Sequence, residues 1–267
     1  MLFFVATPIG NLDDLSKRAI DTLKTVDLIF CEDTRHSQCL LRHYDIHRPL
    51  SSYHRFNEKK REEEILLLLK EGKRIALLSD AGTPCLSDPG ALLAQACIRE
   101  KIPFTALPGP CSPIQALLLS GFAGEKFQYI GFFPRKGNKE RLQALAYPGV
   151  TIAGESPHRL IATLQWITEK DPERPVAVAR EMTKTFEKCV RGTSREVLLH
   201  FTKEEPRGEM MLCIGPGVLP SEELSAGECA LMLCKYHGLS LKEAIREAAL
   251  LLNKSKRDVY TEVHLES

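Results

Sequence analysis

Through the first 121 residues short apolar runs alternate with amphipathic ones, and this alternation limits the possible folds more than any other feature of the chain. LFFVA gives way to LSKRAIDTLKTV, then come DLIFCE, EEEILLLLKEG, RIALL, ALLAQACIREK and IPFTALP. Brief apolar blocks between turn formers read as buried strands, and apolar spacings of three and four read as helices. Repeated pairs of the two predict βαβ units on a parallel sheet. Pro108-Gly109-Pro110 closes the last strand, and SPIQALLL starts a helix that runs to Ser120-Gly121, where a first domain, residues 1–121, is expected to end.

Beyond Phe122 the rhythm changes. YIGFF, TIAGE, VAVAR, REVLLHF and EMMLCIG read as strands with HRLIATLQWITEK as the chief helix, which predicts a second α/β domain, residues 122–219, on a mixed sheet. From Pro220 the text is helical (SAGECALMLCKYHG, LKEAIREAALLL), a short extension over 220–267. A chain of 267 residues with 43% hydrophobic side chains has the material for two compact domains. Thirty-six basic against 35 acidic residues leave a formal charge of +1, so a polyanionic partner would have to meet a local patch. Nine cysteines without a CxxC pair fit a reduced compartment, and a cytoplasmic protein is expected. The opening MLFFVATPIG lacks a basic leader and meets Pro8 too early for a signal or a membrane span. His43 and His47 have no third ligand in register, so no metal is expected.

The loops carry the chemistry. RIALL runs into SDAGTPCLSDPG, a loop stiffened by two prolines and two glycines. Ligands of open α/β sheets bind outside the carboxyl ends of the strands, and a pre-stiffened loop loses little entropy on binding. Asp88-Pro89 has a plain reading as N-cap and first residue of the next helix, which leaves Asp80 to Pro84 for a ligand. Three more loops open on the same edge: Thr7-Pro8-Ile9-Gly10-Asn11, Glu32-Asp33-Thr34-Arg35 and Leu107 to Ser112. None has the glycine pattern or the Gly-Lys-Ser/Thr of a nucleotide-phosphate loop.

TPIGNLDDLSKRA, EDTR, SDAGTPCLSDPG and PGPCS, in that order, resemble the tetrapyrrole methylase superfamily of S-adenosylmethionine-dependent transferases. GFFPRK, ESPHR and REMTK are similar to segments of its ribosomal RNA small subunit methyltransferase I family, which methylates a cytidine ribose 2′-hydroxyl in small-subunit (16S) ribosomal RNA. The resemblance runs from about Leu2 to Gly215. It implies two α/β domains, S-adenosylmethionine folded in the cleft between them, and a homodimer. By position it implies that Pro8 and Ile9 flank the donor, that Asp80, Gly82, Thr83 and Pro84 hold its sugar and amino-acid parts, and that Ser112 bounds the adenosine. It also puts Glu181-Met182 and Gly215-Pro216 on the opposite wall. Met182 stands where the family has leucine, and Cys85 and Cys111 are small substitutes.

A ribose hydroxyl is a weak acid, so its methylation calls for positioning and for a base or cation near the developing alkoxide. Arg35, Glu155, His158, Arg159 and Glu181 are the catalytic candidates, with Glu32, Asp33, His54, Arg180 and Lys184 behind them. Neighbouring Arg and Glu also form structural ion pairs, and ESPHR has a plain reading as a helix cap. Basic side chains gather in Arg135-Lys136…Lys139…Arg141 and Arg55…Lys59-Lys60-Arg61, which are candidate RNA contacts or solvated helix faces. The rivals are a superfamily member acting on a small molecule or a protein residue, and a non-catalytic RNA-binding module, for which 7% aromatics and a charge of +1 offer little.

Overall fold

The computed structural model describes residues 1–216, 225–237 and 239–265. The expected boundary near 219 and 220 lies outside the described residues. In the first part, β1 (Leu2–Val5), α1 (Lys17–Leu23), β2 (Leu28–Cys31), α2 (Thr34–His43), β3 (Leu50–Ser52), α3 (Glu58–Lys70), β4 (Ile75–Leu78), α4 (Ala91–Arg99) and β5 (Phe104–Leu107) alternate. They make a five-stranded sheet, order β3-β2-β4-β1-β5, parallel throughout. Four-residue strands such as LFFV and IALL are buried at every position because helices cover both faces. Leu23, Leu40 and Leu41 of α1 and α2 pack on one face, and Ile65, Leu69 and Leu93 of α3 and α4 on the other.

The second sheet is mixed: β6 (Phe127–Phe132), β7 (Val150–Glu155), β8 (Pro175–Arg180), β9 (Lys188–Thr193) and β10 (Met210–Ile214) lie in the order β6-β7-β10-β8-β9. Only β6 and β7 pair in parallel, and β10 runs antiparallel to β7 and β8. Helix α5 (Ser112–Ser120) follows the last strand of the first sheet, yet its Ala116 and Leu117 pack on Ile152, Ala177 and Cys213 of the second. The two sheets are thus joined by a shared apolar cluster, which Ile9 also enters. Between β6 and β7 lies α6 (Asn138–Ala146). Helices α7 (Pro157–Lys170) and α8 (Ser194–Lys203) cover the far face through Leu160, Leu164, Val197 and Phe201. The last helices, α9 (Ala226–His237), α10 (Leu241–Leu251) and α11 (Lys256–Leu265), close a small apolar core of their own.

Two expectations need correction. REVLLHF, read as a strand, is helix α8, because Thr193 and Glu196 form a capping box and Val197 and Phe201, four apart, both face the core. The helix after SDPG starts at Ala91 with Gly90 as its cap, so Asp88 does not cap it. Strands β3 and β9 had no candidate in the sequence, since LSS and KCVRGT are too polar to read as strands. Removing the cap as Thr193→Ala should lower the unfolding free energy by about 1 kcal/mol. A urea denaturation curve that does not move would deny the cap that role.

Candidate active site

The loop-bearing edge of the parallel sheet is fastened by backbone and hydroxyl groups. Thr7 N donates to Gly82 O (2.9 Å) and Gly82 N to Thr7 O (3.0 Å). Thr7 Oγ1 donates to Ser79 O at 3.0 Å, and Ser79 Oγ to Gly82 O at 2.6 Å. Gly82 has φ +80, and a Cβ there would stand 3.3 Å from Ile9 Cγ2, so this contact requires glycine. Asp80 Oδ1 accepts from Asp33 N (3.0 Å), which draws in the loop after β2, and Thr83 Oγ1 donates to Pro110 O (3.0 Å), which draws in the loop after β5. Pro8, Ile9, Asp80, Gly82, Thr83, Pro84 and Ser112 therefore stand on one connected rim.

Strand directions decide what faces this rim. Glu155 of β7 and Arg180 of β8 both pair with Met210, so the ends of those two strands meet the start of β10. ESPHR, GFFPRK, REMTK and Gly208-Glu209 leave this one end of the second sheet. Gly10 meets it: a Cβ on Gly10 would lie 2.5 Å from Lys184 Cγ and 2.9 Å from both Met182 O and Thr183 Oγ1. A second contact joins Ser87 Oγ and Tyr129 Oη at 3.0 Å. The buried Thr183 Oγ1 finds no hydrogen-bond partner among the described residues.

Gly215-Pro216 cannot share that wall with Glu181-Met182. Gly215 N donates to Pro175 O at 2.8 Å, at the start of β8, whereas Glu181 follows its end. Six residues of strand at about 3.3 Å each put roughly 20 Å between them. Arg174 Nη1 also reaches Gly215 O, at 3.4 Å. Antiparallel pairing brings Gly208, Glu209 and Met210 to Arg180 and Glu181, directly before Met182, instead. The sequence signal for them is the glycine directly before the apolar run EMMLCIG.

The catalytic candidates separate by what already holds them. Glu155 is buried and accepts from Ser156 N (2.8 Å) and Thr163 Oγ1 (2.6 Å), with Arg159 Nη1 at 3.3 Å. Arg159 Nη2 donates to Phe133 O at 2.7 Å, so this pair braces the loops after β6 and β7. Glu181 sits at φ +48, and its carboxyl is held below the usual range by Glu209 N–H and the Lys184 ammonium. Arg35 is exposed and paired with Asp33 at 3.1 Å, and His158 is exposed. Asp88 was not a candidate. Burial first, then the charges of Glu32 and Asp80, push its carboxyl up to about 6 against the pull of Arg55. Among the described residues no group of three or more His, Cys, Asp or Glu side chains could hold a metal ion.

A parallel sheet whose loop edge meets one end of a mixed sheet defines a two-domain α/β fold in which the loops of both sheets come together. The family model described as Tetrapyrrole (Corrin/Porphyrin) Methylases matches residues 1–198. The chain belongs to this family, as the motifs of its loops implied. Relatives named "Ribosomal RNA small subunit methyltransferase I" are 47% identical in Thermotoga maritima, over 80% of this chain and 97% of that protein, and 43% identical in Synechocystis, over 97% and 96%. The counterpart in Escherichia coli O157:H7 is 40% identical over 97% and 93%. In fold the chain is similar to a solved cobalt precorrin-4 methyltransferase, with a TM-score of 0.60 at 18% identity over 80% of this chain and 94% of that one. A uroporphyrin-III C-methyltransferase from Thermus thermophilus complexed with S-adenosyl homocysteine has a TM-score of 0.56 at 17% identity, over 80% and 96%.

Two outcomes test this geometry. Arg159→Ala leaves a buried carboxylate without its cation and should cost about 3 kcal/mol in chemical denaturation while turnover per folded molecule is retained. Loss of turnover without loss of stability would put Arg159 among the reacting groups. For Asp88, a raised folded pKa means that stability falls as pH rises from the unfolded carboxyl value through about 6. Asp88→Asn should accordingly raise the melting temperature at pH 8 and leave it nearly unchanged at pH 4; equal shifts at both would deny the burial of that carboxyl.

Proposed function

We propose that the protein transfers a methyl group from S-adenosylmethionine to the ribose 2′-hydroxyl of a cytidine in small-subunit (16S) ribosomal RNA. The observation that carries the reading is the meeting of the tied loops after β1, β2, β4 and β5 with Met182–Lys184 at Gly10, in a chain with relatives that share its length and bear that methyltransferase name. The rim fits the donor: a carboxylate at Asp80 for ribose hydroxyls or an ammonium, backbone groups at Pro8 to Gly10 and Gly82 to Pro84, and apolar walls at Ile9 and Met182. Among the described residues Asp80 gives only Oδ1 to a hydrogen bond, and the orphaned Thr183 Oγ1 offers a hydroxyl beside Gly10.

The bound donor supplies a methyl group on a sulfonium that needs no further activation, so the chain's task is alignment. Gly208, Glu209 and Met210 complete the wall beside Met182, in place of Gly215-Pro216. Glu155 and Arg159 hold the loops, and Glu181 is engaged with Lys184 and Glu209 N–H; Glu32, His54, Asp88 and His158 remain as groups able to take up the hydroxyl proton. Arg35 offers phosphate a planar fork at the rim. A homodimer fits the exposed Ile114 and Leu118 face of α5, and a cytoplasmic location fits nine unpaired cysteines. No helix among the described residues is long and apolar enough to cross a membrane.

Asp80→Asn keeps an acceptor for Asp33 N–H while losing the charge. It should weaken S-adenosylmethionine binding about tenfold or more in a calorimetric titration without lowering the melting temperature, and parental affinity in the variant would refute the donor assignment. Methyl transfer to small ribosomal subunits, followed by mapping of ribose methylation, tests the acceptor. Transfer to a tetrapyrrole or a protein instead would favour the rival readings.

A further inference from the structure

Leaving a phenylalanine ring in water forgoes the gain of burying it, and Phe56 is 96% exposed. The ring is held there by a fastened turn. Between β3 and α3, Asn57 Oδ1 accepts from His54 N (2.8 Å), Asn57 Nδ2 donates to Ser52 O (3.2 Å), and Asn57 N and Glu58 N both donate to His54 O (2.9 and 3.0 Å). Arg55 Nη2 donates to Ser87 O at 3.3 Å, which ties the turn to the loop that carries Asp80 and Asp88. The His54 and Phe56 rings meet edge to face, with centroids 6.1 Å apart. The turn thus presents an open aromatic face at the loop edge of the parallel sheet, with Arg55, Lys59 and Lys60 exposed around it.

We infer that Phe56 is a stacking platform for a nucleobase of the RNA acceptor, close to the methylated nucleotide, with Arg55, Lys59 and Lys60 meeting the adjoining phosphates. The inference rests on the function proposed above and names the residue that grips the acceptor beside the reacting ribose. A single-stranded stretch splayed into a cleft loses base stacking, and an aromatic face at the rim restores it whatever the base. Cations around such a ring neutralise phosphates without reading sequence. The ring lies outside the donor rim and contributes to holding the acceptor, not to methyl transfer itself.

The test uses the full-length protein with Phe56→Ala, Phe56→Leu and Phe56→Trp. On small ribosomal subunits the Ala and Leu variants should raise KM about tenfold with kcat within about twofold and S-adenosylmethionine affinity unchanged, as loss of one base stack implies. The Trp variant should keep the parental KM, and its added indole emission should be quenched by a single-stranded RNA oligonucleotide, with the parent, which has one tryptophan, as blank. Parental KM in Phe56→Ala overturns the proposal. So does a Phe56→Leu variant that behaves as the parent, since leucine keeps apolar area for a ribosomal protein but no π face. Quenching is read without turnover: a parent that methylates no ribosomal RNA refutes the function proposed above, whereas absence of quenching refutes the stacking platform alone.

Discussion

The reciprocal hydrogen bonds between Thr7 and Gly82 hold the loop after β1 against the loop after β4, and the rest of the rim is placed from that pair. Through Ser79 and Ile9 the same contact fixes the height of Asp80 and the apolar wall beside it. Gly10 then carries the rim across to Met182–Lys184, in a space that no Cβ would enter without moving that loop. A site built this way depends on backbone groups and on small residues at close approach, so it needs few charged side chains. Pre-organised groups of that kind bind at little cost in ordering entropy.

The second sheet contributes mainly by direction. Because β10 runs against β7 and β8, its start joins their ends, and four loops gather where the first sheet's rim arrives. Ion pairs tie the loops at that end: Glu155 with Arg159, and Lys184 between Glu181 and Glu209. Asp88 is the exception, a carboxyl whose pKa burial, Glu32 and Asp80 raise to about 6 in the loop after β4.

The first domain was legible because buried parallel strands are plain apolar runs and because glycine and proline mark the loops at their ends. Parallel pairing puts all those ends on one edge, so the rim followed from the strands alone. The second domain was less legible. REVLLHF has the composition of a strand, and only the Thr193–Glu196 capping box with the spacing of Val197 and Phe201 shows it to be a helix. KCVRGT is half exposed and polar, so nothing in it signals β9. Gly215-Pro216 was misplaced for a topological reason: the sequence gives a strand's two ends, but which of them meets Met182 depends on whether its neighbour runs parallel or antiparallel. The partners that engage Glu155, Thr163 and Arg159, lie on the next helix, where sequence shows spacing but not contact.

Amide hydrogen exchange with and without S-adenosylmethionine tests most directly whether one cleft between these two strand-end surfaces holds the donor. The account predicts slower exchange on donor binding at Thr7, Ile9 to Gly10, Asp80 to Thr83, Met182 to Lys184 and Gly208 to Met210, with Gly215 unchanged. Protection at Gly215 without any at Met182 to Lys184 would contradict it.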